Sequence, residues 1–181
     1  MKYLIAAIFV LGTVGIIAFG AFAVPGATPE RTPADFLRLH IFAHSDQADD
    51  QAVKYEVRGA IINAMTPVLA NVTSRDGAMA AVNSNLALIE RVSNQTLYTS
   101  GFDYTATVSM GEMFFPTRAY NGHVLPYGVY KALQIRLGDG TGANWWSVVY
   151  PPLCFLDNNI GGDRGVVYRS RINEIIRRFF A

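Results

Sequence analysis

FDYTATVSMGEMFFPTRAYNGHVLPYGVYKALQIRL, residues 102–137, holds a period of two along most of its length. Phe102, Tyr104, Ala106, Val108 and Met110 alternate with Asp103, Thr105, Thr107 and Ser109. Successive side chains on a strand point to opposite faces, so this pattern predicts a half-buried strand. Met113–Tyr120 predicts a second strand and His123–Leu125 its return, joined by a tight hairpin because Asn121 and Gly122 tolerate positive φ. Val129–Leu137 alternates again, with Lys131 on its apolar side, which suggests an edge or a partly exposed face.

Upstream, FLRLHIFA (Phe36–Ala43) sets Leu37, Leu39, Ile41 and Ala43 against Arg38, His40, Phe42 and His44 and predicts the first strand. Ser45 or Asp46 then caps a helix, with the carboxylates of Asp46, Asp49 and Asp50 near the positive end of its dipole. Val53, Val57, Ala60, Ile61, Ala64, Met65, Val68 and Val72 form its apolar stripe, and Pro67 is placed to kink or restart it. Ser74–Tyr98 predicts a second helix that buries Met79, Val82, Leu86 and Ile89. One strand, two helices and then consecutive strands give an α+β fold: an antiparallel sheet of about four to five strands, two long helices packed on one face, and a short C-terminal helix. In that last helix Ile172, Ile175, Ile176 and Phe179 oppose Arg169, Arg171, Arg177 and Arg178. Such a stripe more commonly docks on its own domain than on an anionic membrane.

Residues 3–24, YLIAAIFVLGTVGIIAFGAFAV, carry no charge and are long enough to span a bilayer, while Ala21-Phe22-Ala23 also fits a signal-peptidase site. A cleaved signal and a retained anchor both fit residues 1–24, and either puts the remainder on the far side of the membrane. Residues 25–34, PGATPERTPA, are expected to form a flexible tether, and residues 35–181 a single domain. The formal charge is +1, with +4 on residues 164–181 and −3 on the rest, and neither part suggests a nucleic-acid binder.

Candidate chemistry is sparse. His40 and His44 on one strand stand about 13 Å apart, too far to share an ion, and no third ligand accompanies them, so no metal is expected. Cys154 is the single cysteine, which excludes an internal disulfide. Its setting, PPLCFL, is apolar, raises a thiol pKa and favours an inert packing residue. A secreted hydrolase using Cys154, His40 and Asp46 is the enzymatic alternative. Gly138-Asp139-Gly140-Thr141-Gly142 lacks the lysine and helix opening of a phosphate cradle and reads as a turn, so neither cofactor nor small-molecule ligand is expected. Trp145 and Trp146, adjacent on a strand, must point to opposite faces. With Asn144, Pro151 and Pro152 they make a candidate binding patch, or else both rings cap the core under the glycine loop.

Two stretches resemble the stage II sporulation protein R family of spore-forming bacteria. One is Leu37-Arg38-Leu39-His40-Ile41-Phe42-Ala43-His44-Ser45-Asp46 with Asp50-Gln51, Lys54, Val57, Arg58 and Ala60. The other runs from Phe115-Pro116-Thr117-Arg118-Ala119-Tyr120 through Leu125-Pro126 and Gly142-Ala143-Asn144-Trp145-Trp146 to Pro151-Pro152-Leu153-Cys154-Phe155-Leu156-Asp157. Two positions depart from the family pattern, Ser147 where cysteine is usual and His44 where asparagine is usual. The resemblance implies a signalling protein rather than an enzyme. By it, the protein is exported into the space between forespore and mother-cell membranes and activates the membrane-embedded aspartic peptidase that processes the sigma-E precursor. The candidate contact residues are then Asn144, Trp145, Trp146, Pro151, Pro152, His40 and Asp46.

Overall fold

The computed structural model describes residues 31–120, 123–153 and 162–180, the last helix by its side chains from 171 onward. A short 3-10 turn, Pro33–Asp35, precedes strand β1 (Leu37–Phe42) and helices α1 (Ala48–Leu69), α2 (Arg75–Asn83) and α3 (Leu86–Thr99). Strands β2 (Ala106–Phe115), β3 (Arg118–Tyr120), β4 (His123–Leu125), β5 (Gly128–Leu137) and β6 (Asn144–Tyr150) follow, then helix α4 (Gly162–Phe180).

The α+β class is the expected one, and its sheet is mixed. Strand order is β2-β5-β1-β6, with β3 and β4 forming a separate two-stranded ribbon. β5 runs antiparallel to β2, and β1 antiparallel to β6, but β1 and β5 are parallel neighbours. Alternation shows which residues point inward and says nothing about which strand lies alongside. β5 is therefore central rather than an edge. Lys131 sits near one end of it, half-exposed, with its Nζ 3.0 Å from Glu112.

One face of the sheet is apolar in the sense that drives folding. Leu37, Leu39 and Ile41 of β1 join Leu133, Ile135 and Leu137 of β5 in a core with Val53, Val57, Ile61 and Met65 of α1, Val82 of α2 and Ile89 of α3. Each such side chain contributes roughly 1.5–3 kcal/mol by leaving water. Helix α1 runs two residues past Pro67, to Leu69, so the proline stands in its last turn and no new helix starts there. Its N-cap is Gln47, so Ser45 and Asp46 stand ahead of the helix instead of capping it.

The second predicted helix is two. Ser74 caps α2, accepting from the Gly77 N–H at 3.1 Å, and the helix stops at Ser84-Asn85, where the Asn85 side-chain amide donates to the Ala81 carbonyl at 2.8 Å. Such residues offer the backbone an alternative to continuing the ladder.

The terminal helix docks on the domain. Ile172, Ile175 and Ile176 are buried, and the Phe179 ring meets Phe36 at 5.4 Å and Tyr150 at 5.6 Å. It has 19 residues, longer than the short helix expected. Arg31 donates to the Phe179 carbonyl and lies over that ring, so residues 31–34 belong to the domain and not to a free tether. Residues 1–24, the rest of the tether, Asn121-Gly122 and Cys154 lie outside the described residues. Among the described residues no helix is long and apolar enough to cross a membrane.

Candidate functional site

The connection from β5 to β6 must step over the end of β1, because β1 lies between them. The glycine run does this by crossing the chain as it leaves β1. The Gly142 N–H donates to the Ala43 carbonyl at 3.0 Å, and Thr141 donates to the His44 carbonyl through its N–H at 3.1 Å and its hydroxyl at 2.8 Å. A Cβ on Gly142 would stand 2.1 Å from the Ser45 carbonyl oxygen, so no other residue fits the crossing. The Asp46 carboxylate accepts from the Ala143 N–H at 2.6 Å, and the buried Lys54 ammonium donates to the Ala143 carbonyl at 2.8 Å. His44 accepts from the Asp139 N–H at 3.0 Å through Nδ1, a task an asparagine oxygen could equally perform.

Beneath this clasp Tyr104 stacks on His44 at 4.4 Å and donates to Asp50 at 2.6 Å. Burial acts to raise the Asp50 pKa, but the hydrogen bonds from Ser45 and Tyr104 and the proximity of His44 outweigh it and hold it below the usual range. Burial, then the bond to Asp50, pushes the Tyr104 phenol well up.

The sheet face turned away from α1–α3 carries the other constellation. On β1 it bears Arg38, His40 and Phe42, on β6 Asn144 and Trp146, and on β5 Tyr130, Gln134 and Arg136. Arg38 is 0 % exposed, a buried cation whose Nε donates to the Ser147 carbonyl at 2.9 Å and whose Nη2 donates to the Tyr120 hydroxyl at 2.8 Å. Its guanidinium lies 4.2 Å from the Phe115 ring centre, 5.0 Å from Tyr130 and 5.3 Å from Tyr120, and its Nη1 has no partner among the described residues. Aromatic faces attract a desolvated cation, which compensates in part for the missing carboxylate. Burial still lowers the Arg38 pKa.

His40 is 2 % exposed and lies between Phe42, at 3.7 Å, and Trp146, at 4.0 Å, with Nδ1 2.7 Å from the Met113 sulfur. Burial takes its pKa down to about 4, so the imidazole is neutral at pH 7. Its Nε2 is buried without a partner among the described residues. Arg136 lies 4.4 Å over the outer side of Phe42, which gives a ladder of planar groups in the order Arg136, Phe42, His40, Trp146. Around the ladder Asn144, Thr107, Ser109 and Arg136 are exposed.

The seven predicted contact residues therefore separate. His40, Trp146 and Asn144 come together on this face. Trp145 points to the helix side, with Arg58 of α1 5.1 Å over its ring, so the two tryptophans do take opposite faces. Asp46 belongs to the clasp. Pro151 and Pro152 are buried at the far end of β6, after a cis Tyr150–Pro151 bond, so the predicted Trp-Pro surface does not extend to them. Arg38, Phe115 and Tyr120 escaped prediction, although Arg38 precedes His40 by two residues and so had to share its face. Among the described residues no three His, Cys, Asp or Glu side chains are grouped to hold a metal. The Asp46 carboxylate that the hydrolase alternative assigns beside His40 is instead bonded to a backbone amide.

A family model described as Stage II sporulation protein R matches residues 33–160, a span that includes both the clasp and the Arg38–Trp146 face. A relative named Stage II sporulation protein R, from Bacillus subtilis (strain 168), is 38 % identical over 133 residues, which cover 74 % of this chain. The match spans 59 % of that relative's own length. No solved structure matches.

Proposed function

The chain belongs to the stage II sporulation protein R family, and on that premise we propose that it is an exported sporulation signal that works by contact. Its target in this reading is the membrane-embedded aspartic peptidase that processes the sigma-E precursor. The observation that carries the reading is the family match itself, which spans the clasp and the aromatic face of one domain. The uncharged residues 3–24 supply the means of export, as a cleaved signal or a retained anchor.

The chemistry of the face suits recognition. A neutral imidazole wedged between two rings is poorly placed to move protons at pH 7, whereas rigid rings edged by Asn144 and Arg136 offer a preorganised surface for a partner. The clasp fixes that surface, because Asn144 begins β6 immediately after the crossing. The site of action is the space between the two membranes, and the domain contributes no covalent step of its own.

Cells carrying the peptidase and its precursor, with and without this chain, test the proposal. Processing that appears only with the chain is expected. Undiminished processing in its absence would refute the signalling role.

A further inference from the structure

The end of the domain opposite the clasp carries a surface that the signalling reading does not use. Phe114 near the end of β2, Val124 of β4, Tyr127 in the turn that follows and Val129 at the start of β5 are 58 %, 68 %, 72 % and 57 % exposed. Isolated exposed apolar residues need no explanation. Here Phe114 and Val129 are cross-strand partners, and the Phe114 ring centre lies 6.4 Å from that of Tyr127. The neighbouring ribbon leans on α4 through His123, whose ring stacks on Phe180 at 3.6 Å.

Cations share this end. Arg118 of β3 and Arg177 of α4 are exposed and, among the described residues, form no ion pair, while Arg171 meets only the Asn71 side-chain oxygen. The nearby acids are already occupied: Glu174 by Arg178, Glu112 by Lys131, Asp76 by Arg75, and Asp35 by the turn that it caps. At the clasp end the exposed acids Asp46, Asp49, Asp103 and Asp139 outnumber the exposed Arg136, so the balance of charge has the opposite sign.

The chain also enters the domain here. Arg31 lies against Phe179, and Pro33 against Gly128, one residue from Tyr127. Six residues, 25–30, separate Arg31 from the end of the uncharged segment 3–24, a reach of at most about 20 Å.

We propose that this basic, aromatic end rests on an anionic bilayer, with Tyr127, Phe114 and Val124 at the headgroup level and the arginines on lipid phosphates. Tyrosine is suited to that interface, and arginines near an anionic leaflet add to binding there. The contact is a second attachment beside residues 3–24, would persist if that segment is cleaved, and aims the acidic clasp and Asn144 away from the membrane.

Hydrogen exchange of the full chain tests this on phosphatidylglycerol-containing vesicles and on vesicles of phosphatidylcholine alone. Backbone amides of residues 114–118 and 124–129 are expected to exchange at least roughly five-fold more slowly on the anionic vesicles, and those around Tyr98 at equal rates on both. The slowing should vanish in high salt and in the Arg118→Glu/Arg177→Glu variant, with unchanged amides in β1 and in residues 132–137 of β5 reporting an intact fold. Tyr127→Ser should weaken it without touching the core. Equal rates on the two compositions would overturn the proposal. So would slowing that survives charge reversal, or slowing that appears only when the peptidase is present, which would mark a protein-binding surface instead. None of these outcomes depends on precursor processing, so the membrane contact and the signalling role fail separately.

Discussion

β1 shows two faces built on different terms. Leu37, Leu39 and Ile41 enter a core of aliphatic side chains, while Arg38 and His40, on the other side of the same strand, are equally buried among rings. The first face gains stability from every residue. The second holds a cation with no carboxylate beside it among the described residues and an imidazole that must stay uncharged. A sequence selected for stability alone has cheaper ways to fill that space, since an apolar replacement of a buried charge is often neutral or stabilising. On the proposed function, the first face serves folding and the second recognition.

The largest expected effects fall on the stability side. Ile41→Ala should cost about 2–5 kcal/mol in denaturant unfolding, with processing reduced only as far as the folded fraction falls. Gly142→Ala should be of similar severity, because the crossing leaves no room for a Cβ. A Gly142→Ala protein as stable as the parent would show that the clasp can open without loss.

Next comes pH. The His40 pKa is lowered to about 4 in the fold from an ordinary 6.5, so the unfolded chain binds the extra proton first. Its contribution to stability is complete above pH 6.5 and is lost as pH falls toward 4. The loss is on the order of 3 kcal/mol, and His40→Phe should flatten the pH dependence of the denaturant midpoint over that window. A midpoint as steep in His40→Phe as in the parent would place the titrating group elsewhere.

Smaller still in stability, and most telling for the comparison, is Arg38→Met. It should change unfolding free energy by no more than about 1–2 kcal/mol in either direction and yet depress precursor processing in cells. Equal processing would return Arg38 to a packing role.

Much of this architecture is legible in the residues. The strand alternations, the apolar stripe of α1, the docking of the Ile172–Phe179 stripe and the opposite faces of Trp145 and Trp146 all follow from periodicity. What periodicity lacks is neighbours. It cannot say that β5 lies parallel to β1, and hence that the glycine run must cross the end of β1. It sets Arg38 and His40 on the face opposite the aliphatic residues but cannot say what covers that face. Here Phe115, Tyr120, Tyr130 and Trp146, remote in sequence, cover them. The break between α2 and α3 at Ser84-Asn85 is equally invisible, because an apolar stripe carries across a short interruption.

Binding of the full chain to the detergent-solubilised peptidase tests the recognition face most directly. Asn144→Arg enlarges an exposed side chain beside the His40–Trp146 ladder, and Tyr98→Ser alters an exposed residue on α3. The parent and Tyr98→Ser should form the complex, and Asn144→Arg should lose it while unfolding at the same denaturant concentration. An Asn144→Arg protein that binds as tightly as the parent would contradict the assignment of recognition to this face.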